Sequence, residues 1–151
     1  MKLIDILEPT AVLADVVGST PRRVLSEICG PLAERTGLDR RDMVEALLSR
    51  ERLGSTALGG AVAVPHANMV GLGRIIAGLG RSRVGIRFKA PEGQRIRIFL
   101  ALFAPENARG EQLQALSHVS RLFQRQDLCQ RLVDAKDSAE LYELLTAGDA
   151  R

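Results

Sequence analysis

Apolar positions along the chain change their period twice. Between residues 20 and 54 they recur at helical spacing: Val24, Leu25, Ile28 and Leu32 share one face, and Met43, Val44, Leu47 and Leu48 share another. Thr20 before Pro21 predicts an N-cap and a first helical position, Gly37 a stop, and Asp39 the cap of a second helix ending near Gly54. Pro31 predicts a kink, because its ring opposes the carbonyl of Glu27. The middle of the chain reads as sheet. Residues 10–13, 61–64 (stopped by Pro65), 74–79 and 84–88 are candidate strands, the last the weakest. Residues 95–98 alternate and 99–104 are continuously apolar, as in a strand buried on both faces. Helical spacing returns with Leu113, Leu116, Val119, Leu122 and Phe123. Asp127 predicts the cap of a short helix through Val133, and Asp137 with Glu140 resembles a capping box ahead of Leu141, Leu144 and Leu145. Helices, then strands, then helices predict an α/β three-layer sandwich: a mixed β-sheet flanked by helices on both faces.

Composition narrows the function. The 151 residues are 46% hydrophobic and 26% charged, the profile of one ordinary globular domain over 1–151. A net charge of +3 points only weakly to anionic partners. Aromatic residues are 3% with no Trp, which argues against base stacking on single-stranded nucleic acid. Arg40-Arg41 and the group Arg81, Arg83 and Arg87 read as solvated faces, so no nucleic-acid partner is expected. Two cysteines, Cys29 and Cys129, are too few for a disulfide scaffold and suit a reducing compartment. Met1-Lys2-Leu3-Ile4-Asp5 carries no signal-peptide pattern. Residues 53–73 lack Asp, Glu, Lys and Arg, but Pro65, His66, Asn68 and five glycines break them too often for a spanning helix. A cytoplasmic protein with no membrane insertion is expected.

That uncharged, glycine-dense segment contains the sharpest chemical feature. His66 follows Pro65 at the predicted end of a buried strand, where α/β proteins place their chemistry. Upstream lie Arg50, Arg52, Ser55 and Thr56 among glycines, a set of donors that suits a phosphoryl group. A neutral imidazole can attack phosphorus near pH 7 and pass the group onward. Residue by residue, the plainer reading is the commoner one: a hydrogen-bonded structural histidine, turn hydroxyls, and arginines that favour a helix end. Other motifs fail. Gly54 to Gly59 has P-loop spacing without the Lys-Ser/Thr, no Gly-x-Ser-x-Gly elbow surrounds a serine, and two histidines without His-Glu-x-x-His make zinc improbable.

Arg50-Glu51-Arg52-Leu53-Gly54-Ser55-Thr56, followed by Gly59-Gly60-Ala61-Val62-Ala63-Val64-Pro65-His66, resembles the signature of enzyme IIA domains of the fructose/mannitol type in the bacterial phosphoenolpyruvate-dependent phosphotransferase system. The Met-Lys-Leu-x-Asp-Ile-Leu start resembles the nitrogen-regulatory members. The resemblance extends through Phe88-x-Ala90-Pro91-x-Gly93 and Leu102-Phe103-Ala104-Pro105-Glu106-Asn107-Ala108 to the Leu-Tyr-Glu-Leu-Leu run at 141–145. It implies the same three-layer fold. It also implies that His66 accepts a phosphoryl group from an HPr-like phosphocarrier, with Arg50 beside it. Arg52, Ser55 and Thr56 are the further candidates for holding phosphate. The resemblance implies no metal or organic cofactor, and a phosphoryl-transfer component rather than a stand-alone enzyme. Nitrogen-regulatory members act on regulated proteins, such as potassium transport or sensor kinase components, according to phosphorylation state. Transporting members pass phosphate to a IIB domain, and a binding module that takes no phosphate is a third possibility. Three positions depart from the pattern. Ala57 stands where a glycine is frequent, which strains the chain if that position needs positive φ. Ala67 replaces the usual glycine after the histidine. Gln112 occupies the place of a second histidine, and His118, almost two turns on, should face elsewhere.

Overall fold

The computed structural model describes residues 1–88 and 93–149, so Ala90 and Pro91 of the sequence motif lie outside the described residues. The elements in chain order are α1 (Leu3–Ile6), β1 (Leu7–Leu13), α2 (Pro21–Thr36), α3 (Arg40–Glu51), β2 (Ala57–Gly59), β3 (Val62–Ala63), β4 (His66–Met69), β5 (Ile76–Arg87), β6 (Arg95–Pro105), α4 (Arg109–Leu122), α5 (Gln126–Asp134) and α6 (Ser138–Asp149). The strands form one mixed sheet in the order β1-β5-β6-β3-β2, with β4 also on β6. β5 and β6 are antiparallel, while β3 and β4 run parallel to β6 and β1 parallel to β5.

The apolar run in β6 explains the layering. Successive side chains of a strand point to opposite faces. Ile98, Leu100, Leu102 and Ala104 accordingly pack with residues of α1, α4, α5 and α6, whereas Phe99, Ala101 and Phe103 pack with α2 and α3. The three-layer architecture is therefore as the sequence predicted. Its caps also form: Thr20 accepts from the Arg23 N–H at 3.3 Å, Asp39 from Asp42 at 3.0 Å and Asp137 from Glu140 at 2.9 Å. Gly37 ends α2 in the left-handed conformation.

α2 runs from Pro21 to Thr36 with Pro31 inside it. Four local expectations need correction. The candidate strands 74–79 and 84–88 are one strand, β5, whose register shifts between Arg81 and Ile86. Arg81 is not solvated but fully buried; its Nε donates to Ala14 O at 2.7 Å and its Nη1 to Leu132 O and Val133 O at 3.1 and 2.9 Å. Those two carbonyls belong to the last turn of α5, where helix ends leave acceptors open, and Leu132 O also accepts from Ala135 N–H at 3.4 Å. The cap position of α5 is Arg125, with Asp127 inside its first turn. Finally, α4 turns its buried face through Gln112, Ala115, Val119 and Leu122, which leaves Leu113 69% exposed.

Candidate functional site

The site is built outward from the end of α3. Its last turn holds Arg50 and the buried Glu51. Glu51 accepts from the backbone N–H of Thr56 at 3.3 Å and from the Thr56 hydroxyl, which folds the intervening loop back over the helix end. Arg50 braces the same loop, its Nη1 donating to Gly54 O at 3.0 Å. Thr56 in turn accepts at its carbonyl from Val64 N–H at 3.0 Å. The Val64 carbonyl accepts from His66 Nδ1 at 2.9 Å. One chain of hydrogen bonds thus runs Glu51, Thr56, Val64, His66.

A carbonyl oxygen can only accept, so Nδ1 carries the ring hydrogen and Nε2 keeps its lone pair. The bond to Val64 depends on an interruption in the sheet. β3 and β4 lie on β6 in one unbroken register, Val62 opposite Ile98 and His66 opposite Leu102. Between them Pro65 has no N–H to give, although its carbonyl still accepts from Leu102 at 2.9 Å. His66 is therefore not at the end of a strand, as expected, but begins a second stretch of the same strand line, at the edge of the sheet.

His66 is half-buried, and that burial is the main reason its pKa falls below the ordinary imidazole value; the Arg50 charge adds to the fall. The bond to Val64 and the Glu51 carboxylate oppose it. The ring is accordingly neutral at pH 7, with a free Nε2 and a guanidinium within electrostatic reach.

The candidate residues divide into those the fold brings to the ring and those it employs elsewhere. Of the arginines, Arg50 is the one whose charge bears on His66. The Thr56 hydroxyl is buried and engaged by Glu51, and Ser55 Oγ accepts from Ala57 N–H at 3.1 Å in a tight turn. Arg52 is exposed and donates to Ser49 Oγ at 3.2 Å. Gln112 sits in the first turn of α4, 8% exposed, and makes no hydrogen bond to His66. His118 faces away, as expected, its Nε2 2.5 Å from Asp149. Ala57 does not have positive φ; among the described residues the non-glycine with that conformation is Ala61, at 66°. Glu51 escaped the reading of the sequence. Its signal was an acid in the last turn of a helix, where the dipole disfavours negative charge, so that something else must hold it there.

Among the described residues no group of three His, Cys, Asp or Glu gathers to hold a metal ion. Cys29 and Cys129 are buried and unpaired, and burial pushes the Cys29 thiol up to about 12. Leu53 and Leu58, close in sequence to the loop, are exposed at 84% and 43%.

Residues 5–148 match the family described as the phosphoenolpyruvate-dependent sugar phosphotransferase system, EIIA 2. The chain is 34% identical over 145 residues to a nitrogen regulatory protein of Bradyrhizobium diazoefficiens, covering 96% of this chain and 95% of that one. It is 31% identical over 146 residues to one from Pseudomonas aeruginosa, with the same coverage. Among solved structures, the nitrogen regulatory protein IIA-Ntr of Neisseria meningitidis superposes with a TM-score of 0.88 at 32% identity, over 96% of this chain and all of that one. The mannitol IIA of Escherichia coli shares the fold at a TM-score of 0.70 and 23% identity, over 89% of this chain and 96% of its own. The chain belongs to the enzyme IIA type 2 family of the phosphoenolpyruvate-dependent sugar phosphotransferase system, and to its nitrogen-regulatory kind.

Proposed function

We propose that His66 Nε2 accepts a phosphoryl group from an HPr-like phosphocarrier and that the phosphorylated and free forms engage different partner proteins in the cytoplasm. The observation that carries this is the Val64 carbonyl on Nδ1, which fixes the ring with its nucleophilic nitrogen unblocked. In the transfer the P–N bond to the donor's imidazole breaks as the bond to Nε2 forms. The Nδ1 hydrogen stays in place, so no base is needed. The positive charge that the ring acquires is held by the Val64 carbonyl, and the donor leaves with a neutral imidazole. Arg50 stabilises the charge on the phosphoryl oxygens. Exchanging its bond to Gly54 for one to phosphate would release the loop that carries Leu53 and deliver roughly two negative charges to the same edge. That would couple phosphorylation to partner docking on the exposed Leu53 and Leu58.

Identity to nitrogen regulatory proteins favours regulation over sugar uptake; the fructose-specific EIIABC component of Bacillus subtilis is 27% identical, across 24% of its own length. Regulated proteins such as potassium transport or sensor kinase components are the partners this reading expects. The test is incubation with phosphoenolpyruvate, enzyme I and a phosphocarrier. The expected product carries one acid-labile phosphate by intact mass, and none in His66→Ala. A mass increase that survives the substitution refutes the assignment.

A further inference from the structure

A groove of about 920 Å³ lies along the lower end of the sheet, at the start of β6. Its walls are the β2–β3 turn, the register shift of β5, and the junction of α4 with α5. Arg83, Arg95 and Arg97 line it, with the amides of Gln94, Gln124 and Gln130; no described lining residue is acidic. Lys89, Ala90, Pro91 and Glu92 lie outside the described residues. His66 is not part of it. It pairs with Leu102, five residues further along β6 than Arg97, or about 17 Å at the rise of a strand.

The arginines are held rather than splayed. Arg97 donates through Nε to Ser82 O at 3.5 Å and through Nη2 to Arg83 O. Arg95 Nη1 donates to Gly85 O at 3.3 Å. All three acceptors belong to the irregular part of β5. Gly85 has a φ of 84°, and a Cβ there would come within 2.8 Å of Arg95 Cβ, so a glycine is needed for Arg95 to cross this point. Carbonyls orient a guanidinium without neutralising it. Among the described residues Arg83 alone of the three has a carboxylate, Asp15 at 2.6 Å, and both members of that pair are more than half exposed. Behind the groove, Arg81 adds a fourth cation. Its Nη1 holds the carbonyl of Val133, a lining residue, and its Nη2 is buried with no hydrogen-bond partner. Arg83 and Arg97 press on the Arg81 charge, after burial the main forces against it. Fixed positive charge, offset in part by Asp15 and Asp134, around a concavity of ligand size is a binding arrangement for anions. With only Phe123, itself buried, as an aromatic in the lining, the groove lacks the ring platform of a nucleic-acid channel.

We propose that this groove binds a small polyanion bearing at least two acid groups, either phosphates or carboxylates, on a polar body that the glutamine amides contact. The ligand bridges Arg95 and Arg97 and meets the β2–β3 turn, whose Ala61 carbonyl accepts from Arg97 N–H at 2.8 Å and Ile98 N–H at 3.1 Å. The strand leaving that turn leads to His66, so occupancy of the groove bears on the same strand line as the phosphorylation site.

The experiment titrates the full chain with citrate and with ADP, using acetate and adenosine as singly charged and uncharged controls, read by amide chemical shifts. Expected is saturable binding of one polyanion at millimolar concentration or tighter, with shifts centred on Gly59–Ala61 and Arg95–Arg97. ADP without citrate identifies phosphate as the recognised group, and citrate without ADP identifies carboxylate. Binding should weaken about tenfold in Arg97→Gln and persist in His66→Ala. Arg83→Gln, at an exposed position, gives the same reading if Arg97→Gln does not fold. No saturable binding of either polyanion overturns the proposal, as does binding unchanged by these arginine substitutions. Tighter binding of a single-stranded RNA, with shifts in the same residues, also overturns it, in favour of a nucleic-acid surface.

Discussion

The two histidines of the chain are both half-buried, yet their surroundings assign them opposite roles. His66 meets a neutral carbonyl through Nδ1, which fixes its tautomer and leaves Nε2 unblocked beside Arg50. His118 meets a carboxylate through Nε2, and that carboxylate, Asp149, also accepts from the N–H of Leu3 at 2.5 Å. One ring keeps its second nitrogen open; the other ties α4 to the end of α6 and to the N-terminal turn. Burial alone would not separate them. The difference lies in whether the partner occupies the nucleophilic nitrogen or the one behind it.

The sharpest way to break this contrast is to exchange the side chains one at a time. His66→Gln should abolish phosphorylation by the phosphocarrier, whereas His118→Gln should leave its rate unchanged, both followed by intact mass over time. Equal loss in both variants would sink the distinction. Arg50→Gln comes next. Removing a charge that faces the transferring group should slow phosphorylation about 10²-fold. The melting temperature should change little, since Arg50 gives up one bond to an exposed carbonyl.

Glu51→Gln tests the hydrogen-bond chain behind His66. An amide can accept at its oxygen only, so either the Thr56 hydroxyl or the Thr56 N–H loses a charged acceptor in a buried place. Stability should fall by about 1–3 kcal/mol in a denaturant titration. Phosphorylation should slow about tenfold, the rate equivalent of roughly 1.4 kcal/mol of misplaced ring. Thr56→Val should reproduce part of both effects, and the double variant should cost less than the sum of the singles because the residues share one interaction.

How much of this was legible beforehand follows the physics of each part. The run 99–104 gave away the central strand, because only a strand covered on both faces stays apolar at every position. The caps at Thr20, Asp39 and Asp137 were legible because a cap depends on residues within one turn. Arg81 misled, because nothing local announces that Ala14, Leu132 and Val133 will bring carbonyls to it. β4 was hidden because Pro65 breaks the pattern that its register on β6 restores. At the site, the pairing of His66 with Arg50 came from the family resemblance. The use of Thr56 as a brace did not, since it depends on the buried partner Glu51, and a hydroxyl in a glycine-rich loop reads equally well as a phosphate ligand.

The pH dependence gives a subtler contrast. Burial holds the His66 pKa below its unfolded value, so between the two values the unfolded chain binds more protons than the folded one. Stability therefore rises with pH across that window and is lost as pH falls from about 6.5 toward the folded value. His66→Ala should remove that slope from denaturant midpoints measured between pH 5 and 7. In the wild type, ring nitrogen spectra should show the Nδ1–H tautomer persisting below pH 6.5, so phosphoryl acceptance should outlast the protonation of an ordinary histidine.

The smallest expected effect belongs to the other ring. His118→Gln keeps a donor within reach of Asp149, whose carboxylate still receives the Leu3 N–H, so a buried charge is not left alone. The loss should be about 1 kcal/mol, seen as faster hydrogen exchange at Leu3 and along the last turn of α6 ahead of any global change. Asp149→Asn should cost more than His118→Gln, because it weakens both bonds at once. If the two substitutions cost the same, the Leu3 bond contributes nothing and the closure of α6 rests on His118 alone.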